Sequence, residues 1–301
     1  MEYKKQHIIP QSYLAAWTDP QTPANQEPYV WEINKKSLSI RNKSPKNILY
    51  EVDFYTTTNE EGGRDVSIEK ILSTIEGNFV KVRDNKIFNE LPITTQERIE
   101  FLTFVAAMHS RTPSSGDRWS YVWNQLLDTV KKFDAIYYDE DYDPSKITAP
   151  NPAEIDEGKI FTASDIEEIV DNPITSLFYV NVTREVKLLW ELDMAIFITD
   201  LPQGYITSDN PVVWADPQRF KRPKQLQGVG LSYPSIEITM PISPSYNLFL
   251  NRQGANGYIN LQEFGPHANI DTVINANQRI CQHAKESIVT NENRILWKWF
   301  F

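Results

Sequence analysis

Two short polar boxes hold the residue types best suited to chemistry. The first is Gln6-His7-Ile8-Ile9-Pro10-Gln11-Ser12-Tyr13-Leu14 and the second is Thr207-Ser208-Asp209-Asn210-Pro211. His7 leads the candidates, because an imidazole titrates near neutral pH and can act as general acid, general base or metal ligand. Its plainer role is to hydrogen-bond the start of the helix that follows. Arg111, in His109-Ser110-Arg111-Thr112-Pro113, closes a long apolar segment. A guanidinium there offers a bidentate fork to a carboxylate or phosphate, or it satisfies the last carbonyls of its own helix. His109, in an apolar context on the same helix, reads as a satisfied core histidine.

Asp209 and Asn210 end a strand. They could bind a metal, orient a histidine or accept a ligand's hydroxyls. Equally, they form an Asx-type turn stiffened by Pro211, since both side chains bond their own backbone. Ser208 lacks the GxSxG elbow of a hydrolase nucleophile. Asp65, Glu69 and Glu76 share a helical spacing that could face a metal, though a solvated helix face accounts for them as well. The basic run Arg219-Phe220-Lys221-Arg222-Pro223-Lys224 reads as a surface loop. The chain has no GxGxxG, GxxxxGK[ST] or HExxH motif and no kinase signature. The lone cysteine, Cys281, excludes an intramolecular disulfide and a CxxC zinc site.

These boxes need elements to position them. Pro10 suits a first helical turn, and a helix from about Gln11 to Trp17 puts Tyr13 and Trp17 on one face. Tyr29–Ile33 and Ser37–Arg41 flank a turn and predict a β-hairpin, with Glu51–Thr57 as a third extended segment. Apolar residues at helical spacing predict helices from Asp65 or Ser67 through Phe79, from Thr94 or Thr95 to about Arg111, and from Ser114 to Phe133. An acidic, tyrosine-rich stretch, Asp134–Gly158, has no apolar period and reads as a loop or insertion. Helices resume at Ser164–Val170 and Pro173–Leu192. Strands follow at Met194–Thr199, Gly204–Thr207, Ile236–Met240 and Tyr246–Leu250, the first two at hairpin-like spacing. A last helix, about Asn269–His283, leads into Ser287–Thr290 and the aromatic tail Trp297–Phe301, a segment suited to docking a partner.

The order β, α, β, α predicts an α+β fold: a single domain over 1–301, with one mixed or antiparallel sheet built from N- and C-terminal strands and a mostly helical block, 65–192, inserted between them. With 41% hydrophobic and 23% charged residues the chain is of globular type. The 12% aromatic content exceeds what a plain core needs and suggests a pocket or interface. Thirty basic against forty acidic residues give a formal charge of -10. That field opposes a broad nucleic-acid surface and an anionic membrane. The start lacks a signal-peptide pattern and no stretch approaches the ~18 apolar residues of a membrane span, so a cytoplasmic location is expected.

Together these residues resemble a widespread, mostly bacterial family catalogued as a domain of unknown function. His7, Pro10, Tyr13 and Leu14 match its His-x-x-Pro-x-x-Tyr-Leu box, and Ile68-Glu69 with Glu76 its acidic helix. Arg111-Thr112-Pro113 matches its helix end and Thr207–Pro211 its Thr-Ser-Asp-Asn-Pro box. Pro241-Ile242-Ser243-Pro244 and a late asparagine, Asn275 or Asn277, complete the likeness over about residues 6–290, with Trp17 where Phe is commoner. The resemblance implies one pocket from His7, Gln11, Tyr13, Arg111, Asp209 and Asn210, and names no reaction.

The expected activity is hydrolysis or group transfer on a phosphorylated, nucleotide or RNA substrate. His7 would be general acid or base, Asp209 would orient it or the substrate, and Arg111 would neutralise a phosphate, with Gln11, Tyr13, Ser208 and Asn210 binding substrate. The alternative is a non-catalytic module that holds a small polar ligand with the same residues. No metal site, cofactor or oligomeric state follows from the sequence.

Overall fold

The computed structural model describes residues 4–58, 61–137, 163–202, 204–252, 254 and 263–300. Strand β1 (Lys5–His7) leads through Pro10 into helix α1 (Gln11–Leu14), which tightens into a 3-10 turn ending at Trp17. Pro10 sits with φ -57 at the cap, so its missing N–H costs nothing. Tyr13, Leu14 and Trp17 are fully buried, as their shared face requires. The rings of Tyr13 and Trp17 lie 4.9 Å apart.

The predicted hairpin forms from β2 (Val30–Asn34) and β3 (Ile40–Lys43). Its turn is fixed by Asn34, whose Oδ1 accepts from the N–H groups of Lys36 and Ser37 at 3.1 and 2.9 Å. Strand β4 (Tyr50–Val52) pairs with β1, and β5 (Thr57–Thr58) with β6 (Arg64–Asp65). Leu49 and Asp53, on either side of β4, both hold positive φ. At Leu49 this backbone turn aims one carbonyl at the N–H groups of Ile8 and Ile9, 2.8 and 3.3 Å away. A strained residue thus fixes the chain just after His7.

The helical block is α2 (Ser67–Asn85), α3 (Thr95–Ser110), α4 (Pro113–Tyr137), α5 (Ala163–Asp171) and α6 (Pro173–Trp190). Helix α3 starts at a capping box: Thr94 accepts from the Glu97 N–H and Glu97 accepts from the Thr94 N–H. From Phe101 to Ser110 only Thr103 is not buried, so α3 runs through the core between α2 and α6. Phe79 of α2 stacks on Phe104 of α3 at 3.7 Å. Burying each such ring contributes ~1.5–3 kcal/mol. Helix α4 runs into the first residues of the expected acidic loop, to Tyr137; the rest of that loop, 138–158, lies outside the described residues.

The chain then turns to β structure: β7 (Asp193–Ile198), β8 (Thr207–Ser208), β9 (Val213–Ala215), β10 (Glu237–Pro241), β11 (Tyr246–Asn251) and β12 (Phe264–His267), followed by α7 (Ile270–His283) and β13 (Ser287–Thr290). The fold is α+β. The expected single sheet is instead two principal sheets and two small ribbons among the described residues. One principal sheet has the order β12-β7-β11-β10-β9 and is mixed, because β12 runs parallel to β7. The other, β3-β2-β13-β8, does join N- and C-terminal strands. The expected hairpin of Met194–Thr199 with Gly204–Thr207 does not form, since β7 and β8 belong to different sheets. What separates them is the bend at Gly204, with φ +52, where any Cβ would sit 2.7 Å from the Pro244 carbonyl oxygen.

Ile196, Ile238, Met240, Leu248 and Leu250 of the five-stranded sheet join the core around α3. A second cluster, Ile33, Ile206, Ile280, Cys281, Ile288 and Trp299, fills the space between the four-stranded sheet and α7. Trp299 of the aromatic tail is therefore buried in the chain's own core, which answers the expectation of partner docking for that residue.

Candidate functional site

Three of the sequence's candidate residues meet at one cavity of about 340 Å³. Lys5, Gln6 and His7 come from β1, and Gln11 and Ser12 from α1. Glu69, Leu72, Ser73 and Glu76 line it from one face of α2, with Tyr55 and Arg111 at its back. Arg111 is the clasp. Its Nη1 pairs with Glu76 at 2.6 Å, its Nη2 donates to the His7 carbonyl at 2.5 Å, and its Nε donates to the Tyr55 hydroxyl at 3.2 Å. The Tyr55 hydroxyl in turn donates to the Arg111 carbonyl at 3.3 Å. Arg111 is 2% exposed. Burial alone would lower its pKa, but Tyr55 and Glu76 outweigh burial and hold the net shift upward. Burial raises the Tyr55 hydroxyl.

Gln6 ties β1 to the same wall. Its Nε2 donates to Glu69 at 3.1 Å and to Thr56 at 2.9 Å, while its Oε1 accepts from the Tyr55 N–H at 2.6 Å. His7 faces Tyr50 across the β1–β4 pair, with ring centroids 5.7 Å apart. Its Nδ1 lies 3.3 Å from the Gln11 amide nitrogen, and its Nε2 is buried with no hydrogen-bond partner among the described residues. This places the proton on Nε2 and leaves Nδ1 to accept from Gln11. Burial lowers the His7 pKa, backbone carbonyls at Lys46 and Pro45 oppose that, and Arg111 and Lys5 add to the lowering. The Ser12 hydroxyl is buried with no hydrogen-bond partner among the described residues.

The other candidates lie elsewhere. Tyr13 is fully buried: its hydroxyl donates to the Pro241 carbonyl at 2.7 Å and accepts from Thr207 at 2.8 Å. Burial pushes its pKa strongly up. Ser208 is fully buried, and its hydroxyl accepts from the Asn210 N–H at 3.1 Å. Asp209 holds the turn between α7 and β13. One oxygen accepts from the Lys285 N–H at 2.8 Å, and the other from Glu286 and Ser287 at 2.6 and 2.9 Å. Burial raises its pKa against the pull of those three donors. Asn210 donates to the His283 carbonyl at 3.1 Å, capping the end of α7. Neither Asp209 nor Asn210 lines the cavity at His7. The expected convergence of both boxes is thus corrected: the second box engages backbone, as an Asx turn does. The late asparagine has a parallel role, for Asn277 accepts from the Ile206 N–H and donates to the Gly204 carbonyl.

The sequence did not single out Gln6 or Tyr55 as site residues, and it left Glu69 and Glu76 between a metal-facing and a solvated helix face. The signal was present for the two glutamates, which lie two turns apart on the α2 face toward β1. Asp65 is not among them; it accepts from the Ser67 N–H at 2.8 Å. No group of three or more His, Cys, Asp or Glu is placed to hold a metal ion among the described residues. Burial pushes the Cys281 thiol up to about 12, which removes it as a nucleophile at neutral pH.

The chain matches, over residues 5–294, the family described as "Protein of unknown function (DUF4238)". It belongs to that family. No curated protein and no solved structure matches it. In this DUF4238 chain the cavity at Arg111 draws on β1, α1, α2 and the end of α3, segments that all fall inside the matched span. None of the described helices is long and apolar enough to cross a membrane.

Proposed function

We propose that the chain binds a small polar, nucleotide-like ligand in the cavity between β1, α1, α2 and Arg111, without turning it over. One observation carries this reading: the groups that would transfer charge are engaged by the protein itself, while hydrogen-bonding groups line the cavity. The Arg111 donors hold Glu76, the His7 carbonyl and Tyr55. His7 Nδ1 is bonded by Gln11 and its Nε2 is buried, without a partner among the described residues, and Asp209 is held by three N–H groups. What is left is the remaining acceptor capacity of Glu69 and Glu76, the unpartnered Ser12 hydroxyl and the exposed Gln11 amide. Paired carboxylate acceptors suit the diol of a ribose, as acidic residues do in dinucleotide sites. Lys5, exposed at the rim with its Nζ 4.3 Å from the Tyr50 ring centroid, suits an attached phosphate.

Hydrolysis or transfer on a phosphorylated, nucleotide or RNA substrate is the second reading. It is favoured by the lowered pKa of His7, because a general base must be neutral at working pH. It requires Gln11 to leave Nδ1 when substrate arrives. Melting temperatures with adenosine, adenosine monophosphate, ribose and inorganic phosphate test both readings. Adenosine and its monophosphate should stabilise the protein, by about 2.7 kcal/mol at a hundred-fold excess over Kd. Phosphate alone should not, and mass spectrometry should find the ligand unchanged. Product formation would establish the second reading, and no stabilisation by any of the four would sink the first.

A further inference from the structure

A second cavity, of about 280 Å³, opens between α4, α6 and β9, and two of its lining residues, Glu185 and Arg118, are joined through His109. His109 on α3 and Glu185 on α6 are both buried, and the His109 Nδ1 lies 2.9 and 3.0 Å from the two Glu185 oxygens. With that proton on Nδ1, Nε2 is an acceptor, and both Nη atoms of Arg118 approach it at 3.3 Å. Arg118 also donates to the Ser115 hydroxyl at 3.2 Å. The dyad therefore aims a guanidinium, where a catalytic dyad would aim a nucleophile.

The walls are aromatic and apolar. The His109 ring stacks on Trp214 at 3.9 Å and 25°, while the Arg118 guanidinium lies 5.8 Å from the Trp214 ring and 6.0 Å from that of Trp119. Leu188, Val229 and Leu231 complete the lining, with Arg184 at an exposed position. Asn181, only 7% exposed, also lines the cavity.

We infer that this cavity is a binding site for a planar aromatic molecule bearing one carboxylate. Its ring lies against the indole faces, its anion meets Arg118 and Arg184, and a polar ring atom bonds Asn181. Glu185 neutralises one of the two arginines, which leaves a single net positive charge for a monoanion.

The test compares 2-naphthoate with uncharged 2-naphthamide by calorimetric titration of the full chain. The acid should bind about ten-fold more tightly than the amide, as a charge-assisted bidentate contact implies. Arg118→Gln should remove that preference while leaving the amide's affinity in place. Oxidative footprinting of the unmodified protein reads the same question if that variant does not fold. Trp119 and Trp214 should then be protected by 2-naphthoate. Equal affinities for acid and amide, a preference that survives in Arg118→Gln, or unprotected indoles would each overturn the inference.

Discussion

Arg111 organises the candidate site through charge buried where water does not reach, and removing its partner is the sharpest single-residue perturbation. Glu76→Gln leaves the guanidinium facing a neutral amide and should cost about 1–3 kcal/mol, below the ~3–5 kcal/mol of a fully buried broken pair because Glu76 is partly exposed. Urea denaturation measures it; a loss near zero would mean the pair is ornamental. Asp209→Asn should destabilise by a similar amount, about 1–2 kcal/mol, because one of its two carboxylate acceptors becomes a donor facing an N–H. If Asp209 were instead a ligand group, stability would hold and binding would fall.

Two histidines make a pH prediction with a definite sign. Burial is the main cause that holds His7 and His283 below the usual imidazole value of 6.5. Each binds fewer protons in the folded state than in the unfolded chain as pH falls below that value. The stability they contribute is complete above about pH 6.5 and is lost as pH drops through their folded pKa values. Urea midpoints should fall from neutral pH into the acid range, and His7→Gln with His283→Gln should flatten part of that fall. An unaltered slope in the double variant would contradict the assignment.

At the scale of elements, local chemistry decides what can be read in advance. The α3 start was legible because Thr94 and Glu97 form a capping box, and the β2–β3 hairpin because Asn34 makes its turn. That turn also contains Leu38 at φ 55, a conformation that suits glycine. Leu38→Gly should therefore stabilise the chain by about 1 kcal/mol, measured by urea denaturation, and destabilisation would show that the leucine side chain packs there to greater effect. What was not legible was the partnering of distant strands. β7 and β8 are close in sequence and fall in different sheets because Gly204 bends the chain against Pro244, a contact no local pattern encodes. The candidate site divides the same way. His7, Gln11 and Arg111 announce themselves by residue type, whereas Tyr55 and Gln6 matter only because β1 and β4 pair. His109 looked like a satisfied core histidine, and it is satisfied, but by Glu185 and Arg118 beside a cavity assembled from four elements.

For the whole molecule, the resemblance seen in the sequence and the match over residues 5–294 agree on one family extending across nearly the entire chain. The overall charge of -10 does not reach the candidate site as a uniform field. There Lys5 and Arg111 stand against Glu69 and Glu76, so recognition depends on hydrogen-bond geometry more than on net charge. The central claim is that a small polar ligand enters this cavity, and hydrogen exchange with and without adenosine tests it most directly. The account predicts slower exchange confined to β1, α1, the first half of α2 and the end of α3 at Arg111. Exchange unchanged in those segments, or slowed instead around Arg118 and Trp214, would contradict it.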